Sequence, residues 1–351
     1  MPTGIGLTSR CAIGVESTWG TGVAVTELIP FSTEGINKTI TQLESSYLDG
    51  YAGRRRITNS VVKVAGPLTV EAIWDEITTG IIGIERLIKG ALGSAARDAG
   101  NSLNKYYCDE ALDESYTIAF NKQVSVWEVQ GCKISKLTIS GKAGEKVTLS
   151  VELMGRNLYR TGDAGIINAS AAITGISPAV IPINIMFDDF VFRLADQANA
   201  LATGDRYAID SFELVLDNKP SEHTFSSPDA TVTDGLYSHE FLRNDFRSVE
   251  LSITLPRYTT DQVFTWLNSE TALMADIKAT SGSYQFNILL PNIKVKGDPA
   301  ANIGGPNIIT SKYNFVCLRN GGTNTYLPFQ DTTQIIDEIG IEAKSARTTV
   351  A

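Results

Sequence analysis

The sequence predicts a mainly β protein made of two tandem β-sandwich or barrel domains, each with a flanking α-helix. Three observations predict it. Apolar and polar residues alternate with period two in many short runs, the pattern of half-buried antiparallel strands. Only two segments carry a helical stripe. The order of strands, loops and helix in the first half returns almost element by element in the second.

In the first half the order is a strand at 36–43, a polar loop, a strand pair at 57–73 and a helix at 74–89. Strands at 115–127, 133–140 and 146–153 follow. The last is the clearest: Val147, Leu149, Val151 and Leu153 point one way, and Lys146, Thr148, Ser150 and Glu152 the other. The helix rests on Trp74, Ile77, Ile81, Ile84 and Ile88, spaced by three and four, with Asp75, Glu76 and Glu85 as its polar face. In the second half the order is a strand at 209–216, a polar loop, a strand at 247–255 and a helix at 260–268. Strands at 284–290, 292–296 and 312–318 follow, and an extra strand or hairpin at 184–194 opens the half. Val249, Leu251, Ile253 and Leu255 alternate with Ser248, Glu250, Ser252 and Thr254. The second helix has a capping-box spacing, Thr259 to Gln262, and an apolar face of Val263, Trp266 and Leu267. The two lists also end alike, in Met154-Gly155-Arg156-Asn157 and Cys317-Leu318-Arg319-Asn320. Residues 162–179 carry little charge and read as a linker. The expected division is residues 1–165, a linker at 166–180, and residues 181–351.

The chain has 351 residues and a net charge of −9. Residues 1–165 hold 17 basic and 18 acidic side chains, so the acidity is concentrated in the second half. The sign excludes a strongly basic nucleic-acid binder. With 43% hydrophobic and 20% charged residues, the chain can bury a core. No run of about 18 apolar residues suggests a membrane span, and no basic segment followed by an apolar run suggests a secretory leader. Cys11, Cys108, Cys132 and Cys317 are widely spaced, which points to buried thiols rather than a disulfide framework. His223 and His239 lie sixteen apart in polar sequence, a poor spacing for zinc.

No G-x-S-x-G, phosphate-loop or H-E-x-x-H motif is present. Gly4 and Gly6 begin a G-x-G without a preceding strand. Asp188 and Asp189, adjacent on an expected strand, would face opposite ways and form no acid–base pair. Trp19, Trp74, Trp127 and Trp266 read as core or interface fillers. No enzyme, cofactor or metal centre is expected. The one sharp charge feature is Arg54-Arg55-Arg56, within the polar, glycine-bearing loop 44–60. It reads either as a clamp for phosphate or carboxylate, which arginine binds bidentately, or as a solvated loop tip.

Two stretches carry a family resemblance. Residues 12–21, AIGVESTWGT, and 28–36, LIPFSTEGI, resemble the opening of tail tube proteins of long-tailed (siphophage-like) bacteriophages, with their G-x-E-x-x-[WY]-G-T pattern. Residues 129–139 and 147–156 resemble that family's later strand, glycine turn and alternating strand. The resemblance implies a structural virion protein with no activity and no cofactor, a β-sandwich that self-assembles into stacked rings around a DNA conduit. It implies contacts with a tape measure protein, a tail terminator and distal tail proteins, assembly in the host cytoplasm and no membrane. With the repeat, it implies the two-domain variety, whose rings are trimeric and pseudo-hexameric. Arg54, Arg55 and Arg56 would then meet carboxylates of the neighbouring ring, and the lumen would be acidic so that DNA slides without sticking. The N-terminal segment and the tail at 325–351 would be arms that order on assembly. The alternatives are another β-rich virion component, such as a head-decoration or head–tail joining protein, and a carbohydrate-binding or hydrolytic β-domain.

Overall fold

The computed structural model describes residues 6–44, 46, 56–74, 84–176, 183–222, 237–297, 299 and 308–344. The protein is mainly β, and among the described residues most strands join into one branched antiparallel network, with two separate two-stranded pairs, Ile73–Trp74/Ile183–Asn184 and Pro220–Ser221/Leu242–Arg243. Its spine is the strand Val126–Lys142, 17 residues long. The first part of this strand lies between Ser115–Asn121 and Asn157–Arg160. The later part lies between Thr148–Gly155 and Ser211–Asp217. The change of partners needs a bend, and Gly131 supplies it. Its φ of +65° is left-handed backbone, and a Cβ there would stand 2.9 Å from the Cβ of Arg156.

From the spine, the first half runs outward through Thr148–Gly155 and Ile57–Glu71 to Asn37–Glu44. The second half runs from Ser211–Asp217 through Ser248–Leu255 and Ser311–Cys317 to Tyr284–Val295. On the far side of Tyr284–Val295 come Leu273–Ser281 and Phe190–Asp196. On the far side of Val126–Lys142 come Ser115–Asn121 and Arg10–Glu16. The strands alternate as expected, because one face of each closes over the core. Leu68, Val70, Leu149, Val151, Leu214, Leu216, Leu251, Ile253 and Phe315 are all buried. Each such side chain contributes roughly 1.5–3 kcal/mol of transfer free energy.

Several expectations are corrected. The first helix is described over Ile84–Leu92. Ile84 and Ile88 face the core as the stripe requires, joined by Leu87 and Ala91. Trp74, however, is strand: Ile73–Trp74 pairs with Ile183–Asn184, and the indole stacks on Tyr284 at 6.4 Å. Asp75, Glu76, Ile77 and Ile81 lie outside the described residues. Glu85 is not on a solvated face. It is buried and accepts hydrogen bonds from Asn104 Nδ2 (2.7 Å) and Tyr106 Oη, because the hairpin Gly93–Asp98/Leu103–Cys108 covers that side of the helix. The second helix, Gln262–Asn268, starts from Asp261. The amide of Gln262 donates to Thr260 Oγ1 at 3.2 Å, so the box based on Thr259 is not used.

Among the described residues, the segments near both ends, expected as arms, are folded into the sheet. Arg10–Glu16 is an interior strand with Cys11, Ala12 and Ile13 buried. The final strand, Gly340–Lys344, lies between Tyr284–Val295 and Leu103–Cys108, and so ties the second half to the first. Before it, Leu327, Phe329 and Ile335 form a small core with Met274 and Leu289. The expected linker is also largely folded. A short helix, Ser170–Gly175, buries Ile173 against Ala12, Val25, Ala119 and Val126.

Candidate assembly interface

The solvent-facing side of the continuous sheet is ordered in rows, because antiparallel register sets side chains directly opposite one another. One row reads Glu71, Thr148, Ser140, Glu213, Ser252, Asn314. The next reads Thr69, Ser150, Thr138, Val215, Glu250, Val316, Lys294. Hydroxyls bond across strands, Thr69 with Ser150 at 3.3 Å and Ser140 with Thr148 at 3.0 Å. Carboxylates pair with lysines, Glu71 with Lys146 at 2.9 Å and Glu250 with Lys296 at 2.6 Å. The face is therefore hydroxyl-rich and close to charge balance. Glu152, Glu213 and Asp217 share it with Lys136, Lys142 and Lys312. Acids and lysines are interleaved on it where strands meet.

The sheet ends in open edges. Among the described residues, Asn37–Glu44 pairs only with strands of its own hairpin. Its Ile40 and Leu43 are 39% and 58% exposed. Tyr284–Val295 has Leu273–Ser281 on one side from Tyr284 to Ile293 and, on the other, Gly340–Lys344 over Gln285–Leu289 and Ser311–Cys317 over Ile293–Val295, so that beyond Ile293 it is paired on one side only. An edge of this kind presents free amide and carbonyl groups to another strand. Within the chain, the corresponding edge of the spine at Lys136–Lys142 is already filled by Ser211–Asp217, seven residue pairs long.

Two hairpins project from the same end of the sheet. The row Pro67, Glu152, Lys136, Asp217, Ser248 shows that Ile57–Glu71 runs past that end and that the hairpin Ser211–Asp217/Ser248–Leu255 opens there as well. Of the arginine triplet, Arg56 is exposed at the head of Ile57–Glu71; Arg54 and Arg55 lie outside the described residues. The second hairpin continues into the pair Pro220–Ser221/Leu242–Arg243. Its stem is clamped: Arg243 donates to the carbonyl of Glu110 at 2.7 Å, and Arg247 pairs with Glu338 at 2.7 Å. Lys133, itself buried, reaches Glu240 at 2.6 Å. Sequence reading gave this hairpin only a polar loop. The signal it could have used was Leu242 and Phe246, both apolar and both in a polar stretch.

The G-x-E-x-x-W-G-T stretch acquires a physical role. Glu16 is buried. Its carboxylate accepts from the amides of Gly20 (2.9 Å) and Gly131 (2.8 Å) and from Ser115 Oγ and Thr117 Oγ1 (2.9 Å each). It thus fastens the first strand to the bend of the spine. Glu128 does the same for the following segment, accepting from the amides of Ile167 and Asn168 and from Asn168 Nδ2. Trp19 lies edge-on to Phe241, with the Arg156 guanidinium 5.5 Å from its ring. Trp127 is held between Lys122 and Arg160.

Residues with reactive side chains are engaged structurally. All four cysteines are free and buried, and burial pushes each thiol well above its ordinary range, away from the nucleophilic thiolate. Asp188 and Asp189 lie in a short 3₁₀ turn rather than a strand, and Asp189 accepts from the amide of Met186 at 3.0 Å. His223 is outside the described residues, and among those described no group of three metal-ligating side chains converges. The family model described as phage tail tube protein matches residues 6–317. No curated protein matches the chain.

Proposed function

The chain belongs to the phage tail tube protein family, structural components of the virion tail that self-assemble into a tube, and from that premise we propose how the tube is built. The subunit consists of two tandem tail-tube modules, residues 1–165 and 181–351, joined through 166–180. Three chains close a ring of six quasi-equivalent modules, and stacked rings enclose the conduit through which DNA is ejected into the host. The family is structural and not an enzyme family.

One observation carries this reading. The strands Lys136–Lys142 and Ser211–Asp217 join two halves whose strands pair in the same order. The strand that holds the place of Ser211–Asp217 in the first half is Asn37–Glu44, and it is an open edge. The strand that holds the place of Val126–Lys142 in the second half is Tyr284–Val295, open beyond Ile293. Joining these two edges between chains repeats the internal junction and leaves neither of them open once the rotation closes. The hydroxyl-rich, charge-balanced face would then line the lumen. It offers DNA phosphates neither a basic track nor a strong barrier. Arg54, Arg55 and Arg56 reach the neighbouring ring. Tape measure, terminator and distal tail proteins meet the tube in its lumen and at its ends, and assembly takes place in the host cytoplasm.

Electron microscopy of the concentrated protein, with native mass spectrometry of the rings, tests this. Hollow tubes whose rings contain three 37.9 kDa chains are expected. Rings of six chains, or a monomer at every concentration, would refute it.

A further inference from the structure

We infer that the second hairpin carries an aromatic knob, Phe246, that docks in an aromatic groove at the opposite end of another copy of this chain, in the next ring. The inference rests on the tube reading above and adds to it a contact that the arginine loop does not supply.

The knob is conspicuous on physical grounds. Phe246 is 90% exposed and Leu242 is 58% exposed. A phenyl ring left in water is a transfer penalty that only a partner removes. The segment that carries it is nevertheless held in place. Arg243 and Arg247 both donate to the carbonyl of Asp109, and the amide of Asn244 donates to the carbonyl of Lys219 at 3.2 Å. Lys219 and Asp245 pair at 3.3 Å beside the ring. A side chain fixed on a braced stem loses little freedom on docking.

The groove lies at the other end of the same strand. Phe187, Phe190, Tyr207 and Ile209 line it, and its volume is about 400 Å³. Roughly 150 Å³ accommodates a benzene-sized ring. Its walls are rigid, since Phe187 and Phe190 pack on Phe212 at 6.1 and 5.5 Å. The charges also match. Asp188 and Arg206 are exposed at the rim, and Lys219 and Asp245 flank the knob, so each rim charge has an opposite partner.

Placement decides the occupant. The groove adjoins Ser211 and the knob adjoins Ser248, which pairs with Asp217. The strand Ser211–Asp217 separates them by about 20 Å at ~3.3 Å per residue, so a chain cannot fill its own groove. A contact joining one end of a strand to the other end of that strand in a second copy is heterologous. It propagates along the strand direction instead of closing. That is the geometry of stacking, and it differs from the edge pairing that closes a ring.

Two variants test it. Phe246→Asp should leave the fold and the rings intact, because the side chain touches little within its own chain. It should raise the critical concentration for tube growth by roughly tenfold or more, the loss expected when one aromatic side chain is no longer buried. Phe246→Cys combined with Ala208→Cys should, on oxidation of assembled tubes, give a ladder of disulfide-linked chains that neither single variant gives. The native cysteines are buried and contribute no background. Tubes of normal length and yield from Phe246→Asp, or no ladder from the double variant, would overturn the inference while leaving the tube reading standing. A wild-type chain that forms no tubes would overturn both.

Discussion

The two halves pair their strands in one order but are fastened by different means. In the first half, buried carboxylates do the work: Glu16 gathers four donors at the bend of the spine, and Glu128 holds residues 167–168. In the second half the buried carboxylate at Tyr284–Val295 is Glu342, which accepts from Asn287 Nδ2 at 2.9 Å and from the amide of Gln330, and it is carried by a strand that returns from far along the chain. There the chain continues from Cys317 through the buried Asn320, whose Nδ2 donates to the carbonyls of Asn324 and Ile335, and returns as Gly340–Lys344. The first half is thus closed by polar pins within itself. The second is closed by a strand that also grips the first half's hairpin. The contrast teaches that the internal junction is doubly secured, by sheet pairing at Ser211–Asp217 and by this returning strand. The proposed junction between chains has the sheet edge alone.

The largest effect should come from removing a pin. Glu16→Ala leaves two buried amides and two hydroxyls without their acceptor, and hydrogen bonds to a charged group contribute ~1.5–3 kcal/mol each before relaxation. A loss of about 3–5 kcal/mol is expected, read as a lower urea midpoint at unchanged slope. Glu16→Gln should recover only part of it, since the new NH₂ faces donors. A variant that unfolds at the wild-type midpoint would break the contrast between the halves. Next comes Gly131→Ala. A left-handed φ and a Cβ 2.9 Å from Arg156 together should cost about 1–3 kcal/mol by the same measurement. Substitution at Gly282, which also has positive φ but has open space around it, should cost only the backbone strain.

The third prediction separates folding from assembly. Ile40→Asp with Leu43→Asp places charge along the open edge Asn37–Glu44, a device that keeps edges from pairing. The isolated subunit should unfold within about 0.5 kcal/mol of wild type, because these are exposed side chains. Rings should vanish from sedimentation profiles. The same pair of charges at Leu214 and Leu216, which hold the equivalent strand inside the chain, should instead unfold the protein. Rings from the edge variant would show that the two junctions are not equivalent.

How much of this was legible in the sequence depends on where each residue's partners lie. The alternating strands were readable because a half-buried strand writes its own period: Leu149 and Thr148 differ for reasons local to that strand. The stripe ending in Ile84 and Ile88 was readable for the same reason. Trp74 was misread because its spacing to Ile77 is also compatible with a strand end, and its partner Ile183 lies over a hundred residues away. The closing strand was missed because Ile341 and Ala343 gain meaning only between two strands that the sequence places far apart. Glu85 looked like an ordinary helix-surface acid, since Tyr106 and Asn104 arrive from a hairpin with no helical period. For Glu16 the motif itself was visible, but not its chemistry. Its donors are mostly backbone amides and small hydroxyls, which have no distinctive sequence.

The smallest expected effect sharpens the comparison from the exposed side. Glu250 is a carboxylate like Glu16, but it sits on the open face of the sheet, half in solvent, and pairs with Lys296 at 2.6 Å. The Lys296 hydrogen bond, opposed by partial desolvation, holds its carboxyl below the ordinary range. A depressed value means that the native state binds its proton less readily than the unfolded chain. The stabilisation is therefore present above the unfolded value and fades as pH falls through the native one. Solvent screening keeps it well under about 1 kcal/mol. Glu250→Gln should accordingly shift the midpoint by a few tenths of a kcal/mol at most at pH 7. Added salt should shrink that difference further, and it should fade as pH falls below the ordinary carboxylate range. Glu16→Gln should stay strongly destabilising in high salt, because its donors are buried amides that ions do not reach. Equal salt sensitivity in the two variants would mean that solvent reaches Glu16, and the account of the first half as pinned from within would fail.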